Sequence, residues 1–288
     1  MPKEIYNMSK FEVLLGDNRE RLKELPAGSI HTCVTSPPYF AQRDYQHSDQ
    51  IGNEQTPEQF VDELVKVFKE VHRVLRDDGT LWLNLGDTYS KSKELIGIPW
   101  LVAFALQKDG WLLRSDIIWH KTNPMPESVK DRPTRSHEYI FMFAKNKSYY
   151  YDIEATKTSA KHPKDKRVQN THKRKTKEWQ EQTGLNAHSG FDKNYSTANL
   201  RDVWSVATNT YKGAHFATFP KELINPCVVA GCPIGGTVID PFSGSGTTGI
   251  VACTNDRNYI GIELNPEYRE ISLKRYSEEV SPLTTIME

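Results

Sequence analysis

The stretch VIDPFSGSGTTG ends at Gly249, and only about 40 residues follow it in a chain of 288. It reads as a strand, a tight turn and the start of a helix. Gly244, Gly246 and Gly249 stand in the G-x-G-x-x-G spacing that lets backbone approach a ligand closely. Glu263 follows about 20 residues later, at the end of the next strand, where an acid meets ribose hydroxyls in dinucleotide sites. A purely structural tight turn satisfies the same spacing. An open α/β domain needs more strands than this tail can hold, so the remaining strands must come from the N-terminal half.

That half supplies them. FEVLLGD (11–17) and SIHTCVT (29–35) read as strands, the first followed by a short helical stretch. TPEQFVDELVKVFKEVHRVLRDDG reads as a helix, with Thr56 as cap, Pro57 at its first position and an apolar stripe of Phe60, Leu64, Phe68, Val71 and Leu75. GTLWLNLGD (79–87) is a strand and IPWLVAFALQKDG a helix. WLLRSDIIWHK and HEYIFMFAK are two further strands. The short link from the second to YYYDI predicts that those two pair antiparallel. VWSV (203–206), a helix over FPKELINPCVVAGCP, the glycine turn, YIGIELN and a final helix complete the series. Alternating strands and helices predict an α/β fold with a mainly parallel sheet, whose ligands bind beyond the carboxyl ends of the strands. The polar turns GD, TSPPY, LGD, DPFSGSG and ELN all fall at such ends.

Asp240, Pro241 and Phe242 precede the glycines. A carboxylate there repels a pyrophosphate and suits a positively charged ligand, which argues against a nicotinamide cofactor. Lys+Arg and Asp+Glu both total 37, so any nucleic-acid binding must come from local patches. MPKEIYNMSK lacks the apolar stretch of a signal peptide, and no run approaches the roughly 18 apolar residues of a membrane span. Cys33, Cys227, Cys232 and Cys253 are scattered, and no nearby His completes a zinc set; they read as buried thiols of a cytoplasmic protein without a metal.

In TSPPYF (35–40) two prolines end a strand and leave a hydroxyl, bare carbonyls and a ring at one place. From about 155 to 200 the chain is polar, and Lys161, Lys164, Lys166, Arg167, Lys173, Arg174, Lys175 and Lys177 crowd one stretch. Such a run is a solvated face or a nucleic-acid contact.

Taken together, TSPPYF, FATFP, DPFSGSGTTG and GIELN resemble the S-adenosylmethionine-dependent amino-methyltransferases of DNA, in the permuted order called the β class. The resemblance covers both ends of the chain and leaves about 150 to 207 unmatched. It implies a circularly permuted Rossmann-like fold with a mostly parallel seven-stranded sheet and an inserted DNA-recognition region. The expected boundaries are 1–150 for the catalytic half, 151–207 for target recognition and 208–288 for the S-adenosylmethionine half.

The resemblance assigns the cofactor to Asp17, Thr35, Phe216, Thr218, Phe219 and Pro220, to the turn Asp240, Pro241, Phe242, Ser243, Gly244, Ser245, Gly246, Thr247 and Thr248, and to Glu263, Leu264 and Asn265. Asp17 would meet the adenine amino group, although it is also placed to cap the following helix. Methyl transfer to an exocyclic amine needs acceptors for both N–H atoms, so that the nitrogen lone pair faces the methyl. Ser36 Oγ and the Pro37 carbonyl are such acceptors, Pro38 stiffens the corner, and Tyr39 offers a face for the base. Asp87 would reach the base or serve as a helix cap. Ser at the first motif position marks cytosine-N4 enzymes in the family, with adenine N6 as the alternative, and a hydroxyl that also donates would fit cytosine's ring acceptor. The partner implied is duplex DNA with a short recognition sequence, from which the base is flipped. Arg43, Lys166, Arg167, Lys173, Arg174, Lys175 and Lys177 would contact DNA, with QRDYQHSD (42–49) closing on the base. RPTRSHE (132–138) adds two arginines that serve DNA or salt bridges. A companion restriction endonuclease and no membrane complete the implied setting.

Overall fold

A computed structural model describes residues 9–42, 50–159, 196–208 and 219–281. The chain divides into two compact units, Met1–Ala155 with Arg201–Glu288, and Thr156–Leu200. In the second, β6 (Thr158–Ser159) pairs antiparallel with β7 (Thr197–Ala198).

The larger unit is built on one sheet. Its strands are β1 (Phe11–Leu15), β2 (Ile30–Thr35), β3 (Leu75–Leu85), β4 (Leu112–Lys121), β5 (His137–Ala144), β8 (Val203–Val206), β9 (Thr237–Asp240) and β10 (Asn258–Glu263). They lie in the order β1-β10-β9-β2-β3-β5-β4-β8. The first five neighbours are parallel, β5 runs against both β3 and β4, and β8 runs parallel to β4. The strand that carries the glycine turn, near the end of the chain, thus sits at the centre of the sheet.

The structure corrects two expectations. The sheet has eight strands, not seven. The eighth is Val203–Val206, which the sequence pattern placed inside the recognition region; it pairs with β4 from Ile118 to Lys121 and buries Trp204. YYYDI forms no strand, because β3 and β4 already occupy both edges of β5. Its backbone instead bonds across the unit, Tyr150 N to the Asp78 carbonyl and Asp152 N to that of Ala230.

Six α-helices cover the sheet: α1 (Asn18–Arg21), α2 (Pro57–Val74), α3 (Ile98–Lys108), α4 (Lys221–Gly231), α5 (Thr247–Thr254) and α6 (Pro266–Glu279). In α2, Thr56 Oγ1 accepts from Gln59 N at 3.3 Å, and Phe60, Leu64, Phe68 and Val71 are fully buried. Leu75 leaves that helix and opens β3, which therefore starts before Gly79. The stripe packs with Leu81, Leu83 and Leu85 of β3 and Phe141 and Phe143 of β5. Strand alternation turns Thr80, Trp82 and Asn84 to the opposite face. There Gly231 of α4 comes so close that a Cβ would lie 2.7 Å from both Thr32 Oγ1 and Trp82 Nε1. Among the described residues no helix is long and apolar enough to cross a membrane.

Candidate active site

The carboxyl ends of β1, β10, β9, β2 and β3 open into one cavity of about 600 Å³, an ordinary size for a small-molecule site. Asp17, Ser36, Pro37, Pro38, Tyr39, Asp87, Phe219, Asp240, Pro241, Phe242, Ser243, Gly244, Ser245, Thr247, Glu263, Leu264 and Asn265 all line it. The proline corner and the glycine turn thus share one space. Four predicted residues stand behind the wall. Thr35 and Thr248 bind Asp240, Gly246 packs on Ser272 of α6, and Pro220 precedes α4. Phe216, Thr218, Arg43, Lys166, Arg167, Lys173, Arg174, Lys175 and Lys177 lie outside the described residues, as does most of QRDYQHSD.

The glycine-turn half is organised by two buried acids. Asp240 Oδ1 accepts from Thr35 Oγ1 at 2.6 Å and from Phe242 N at 3.0 Å, and Oδ2 accepts from Thr248 Oγ1 at 2.8 Å. The first of these bonds ties the strand of the proline corner to the turn. Burial outweighs the three donors and pushes Asp240 up to about 6. Glu263 Oε2 accepts from Gly244 N at 2.7 Å and Oε1 from Asn265 N at 2.8 Å, and burial raises this carboxyl too. Asn265 in turn caps α6 through Glu267 N. Gly244 has φ +51°, and a Cβ there would meet only the Phe242 carbonyl, at 3.9 Å. Any side chain would therefore project into open space beside Glu263. Asp17 caps α1 by accepting from Arg19 N and holds the Arg19 guanidinium, which also reaches Glu63.

The other half holds the proline corner. Pro37 is buried at the wall, and its carbonyl has no hydrogen-bond partner among the described residues. Gly86 lies flat against Tyr39; a Cβ there would sit 2.5 Å from the ring, so only glycine leaves the ring this position. Tyr39 Oη donates to Glu138 Oε2 at 2.6 Å, and Ser36 Oγ to Asn84 Oδ1 at 3.3 Å. Asn84 Nδ2 donates to Glu138 Oε2 at 3.3 Å and to the Tyr139 carbonyl at 3.0 Å. Lys121 Nζ bonds the other oxygen of Glu138 and lies 4.9 Å from the centre of the Trp119 ring.

Asp87 carries out the capping role. Its Oδ1 accepts from Thr88 N, Gly97 N and Ile98 N at 2.9–3.0 Å, and its Oδ2 faces Arg135 at 3.6 Å. Arg132 bonds Glu127 and lies 3.9 Å over the Tyr89 ring, so both arginines of RPTRSHE are engaged within the protein.

Sequence reasoning missed Asn84, Lys121 and Glu138. All three lie on one face of the sheet, and Glu138 stands directly opposite Trp119 in the β4–β5 register. A signal was present. Glu138 shares a period-2 face with Ile140 and Met142, so an acid there points the way buried residues point.

The donor set fits S-adenosylmethionine: a buried carboxylate for ribose hydroxyls, acids for a positively charged ligand, and a glycine where backbone must leave room. Comparison with known proteins agrees. A family model described as DNA methylase, covering N6 and N4 enzymes, matches residues 30–274. The Type II methyltransferase M.Cfr9I of Citrobacter freundii is 45% identical, over 96% of this chain and 90% of its own. M.SmaI of Serratia marcescens is 42% identical, over 93% and 91%. Among solved structures, the PvuII DNA methyltransferase (cytosine-N4-specific) superposes with a TM-score of 0.70 at 21% identity, covering 98% of this chain and 90% of its own. A Thermus thermophilus protein, a DNA modification methylase by its description and solved with S-adenosyl-L-methionine, gives 0.62 at 28%, covering 94% of each.

Proposed function

The chain belongs to the DNA methylase family of N6 and N4 amino-methyltransferases, and we propose that it methylates the exocyclic N4 of cytosine within a short duplex sequence. It is an S-adenosylmethionine-dependent Type II DNA methyltransferase of the kind found in restriction-modification systems. The cytosine assignment rests on Ser36 at the head of the proline corner, in one cavity with the glycine turn. The cytosine-N4 specificity of the PvuII enzyme is in keeping with it.

When bound, the cofactor supplies a methyl group on a positively charged sulfur. Glu263 would hold the ribose hydroxyls, and Asp17, at the mouth of β1, the adenine amino group. Phe219 would flank the methionine end, as would Phe216 and Thr218. An amino nitrogen conjugated with a base ring is a poor nucleophile. Ser36 Oγ and the Pro37 carbonyl would accept its two N–H bonds and turn its lone pair toward the methyl group. The half-buried Tyr39 ring, backed by Gly86, would stack the base, a contact worth roughly 1–3 kcal/mol. Asp87 keeps only Oδ2 for the base, since three backbone amides occupy Oδ1. No covalent intermediate is needed; positioning and preorganised acceptors carry the reaction. The base must leave the duplex to enter the cavity, with Arg43 and the lysines and arginines of 166–177 holding the phosphates on either side. A companion endonuclease that cuts the unmethylated sequence belongs to this reading.

The test is to methylate duplex DNA with the purified protein, digest it to nucleosides and identify the product by mass spectrometry. N4-methylcytosine is expected. N6-methyladenine alone would overturn the cytosine assignment and leave the family intact.

A further inference from the structure

We propose that Glu138, acting through Asn84, fixes the direction of the Ser36 hydroxyl, so that this serine accepts from the base amine and does not donate to it. The inference rests on the amine-clamp reading above. It makes Glu138 a positioning residue for the reaction.

The placement of protons decides it. Asn84 Nδ2 faces two atoms that only accept, Glu138 Oε2 at 3.3 Å and the Tyr139 carbonyl at 3.0 Å. Rotating the amide would set oxygen against both, so its orientation is determined. Asn84 Oδ1 must therefore face Ser36, and having no proton it can only receive one from Ser36 Oγ, 3.3 Å away. That distance is long for a hydroxyl bond, as such bonds commonly are before substrate tightens a site. A serine has a single proton. Once that proton points at Asn84, only lone pairs are left for the cavity. An exocyclic amine offers two N–H donors and needs acceptors, so a hydroxyl with its proton turned away suits it. The expectation that Ser36 also donates to cytosine's ring acceptor does not hold in this geometry.

Glu138 stands at the root of the arrangement. It is 9% exposed, a depth at which a lone carboxylate is costly, and its two oxygens are met by Lys121, Tyr39 and Asn84. One carboxylate thus orients both chemical parts of the corner: the Tyr39 ring directly, through its hydroxyl, and Ser36 through Asn84. A glutamine there must turn an NH₂ toward one of its donors, and the order of protons is lost.

The experiment is a double-substitution cycle read by single-turnover methyl transfer under saturating DNA and S-adenosylmethionine. Glu138→Gln is expected to lower the rate constant about 10²-fold, the usual cost of removing one preorganised polar contact, with S-adenosylhomocysteine and DNA affinities within about 3-fold of the parent. In a Ser36→Ala background the same substitution should cost less than about 3-fold, because the group it orients is gone. Glu138→Asp, which keeps the charge, should recover part of the loss. Costs that multiply independently of Ser36 would overturn the proposal and leave Glu138 a stabilising residue. If Glu138→Gln loses S-adenosylhomocysteine binding, Asn84→Ala enters the same cycle and the same non-additivity is required of it. A Ser36→Ala enzyme as fast as the parent would instead remove the clamp reading itself.

Discussion

Asp240 is 2% exposed and accepts from Thr35, Phe242 and Thr248, yet burial still raises its pKa from the ordinary 3.8 to about 6. Between those values the folded protein holds a proton that the unfolded chain has released, so stability falls as pH rises from about 4 to about 6 and is level above. The whole step amounts to about 3 kcal/mol, as an order of magnitude. Asp240→Asn should abolish it. The amide oxygen can still accept from Thr35 and Phe242, and its NH₂ can donate to Thr248 Oγ1, whose own proton has the Val34 carbonyl at 3.3 Å. Thermal melts of the two proteins should coincide near pH 4, with the variant melting about 5–10 °C higher at pH 7. A variant that melts no higher at pH 7 would show that the charge is not a burden to the fold. An acid retained at such a cost, in a cavity that takes a positively charged cofactor, is accounted for by binding rather than by folding.

Among the elements, α3 depends on a residue outside it. Its N-terminal residue follows Gly97, which has no side chain to cap with, so Asp87 at the end of β3 accepts from Gly97 N and Ile98 N. Asp87→Ala would leave those amides and Thr88 N unmet and should destabilise the protein by about 2–4 kcal/mol in denaturant titrations. Asp87→Asn keeps the accepting oxygen and should recover most of that loss; equal losses in both would place the effect in the Arg135 pair instead. The same strand marks how far the sequence could be read. LNLGD, TSPPY and DPFSGSG declare themselves because a polar turn after an apolar run stands out locally. Asn84 does not, since its role exists only once β5 lies beside β3 and brings Glu138 to it. Nor does the antiparallel insertion of β5 between β3 and β4: nearness in sequence favoured YYYDI as its partner, whereas both edges of β5 went to longer strands. Chemistry held within one turn was legible, and chemistry assembled across three strands was not.

At the scale of the whole molecule, equal numbers of acids and bases leave no net field to draw DNA in, so affinity must come from a few placed cations. Those described at the mouth of the cavity are already engaged: Lys121 with Glu138, Arg132 with Glu127 and Tyr89, Arg135 with Asp87. Each would have to abandon a partner to hold a phosphate. The phosphate contacts therefore fall to the basic run at 161–177, outside the described residues. Replacing Lys173, Arg174 and Lys175 by Gln should lower DNA affinity to a similar degree for every sequence, because phosphates carry no base identity. The plot of log affinity against log salt should flatten by nearly 3 units, at about 0.9 for each phosphate no longer neutralised. Cofactor affinity, set by residues of the sheet edge, should not move. Fluorescence anisotropy over a salt series reads all of this. A slope equal to the parent's would mean that this run does not touch phosphate, and that the engaged arginines at the cavity mouth exchange their acids for DNA.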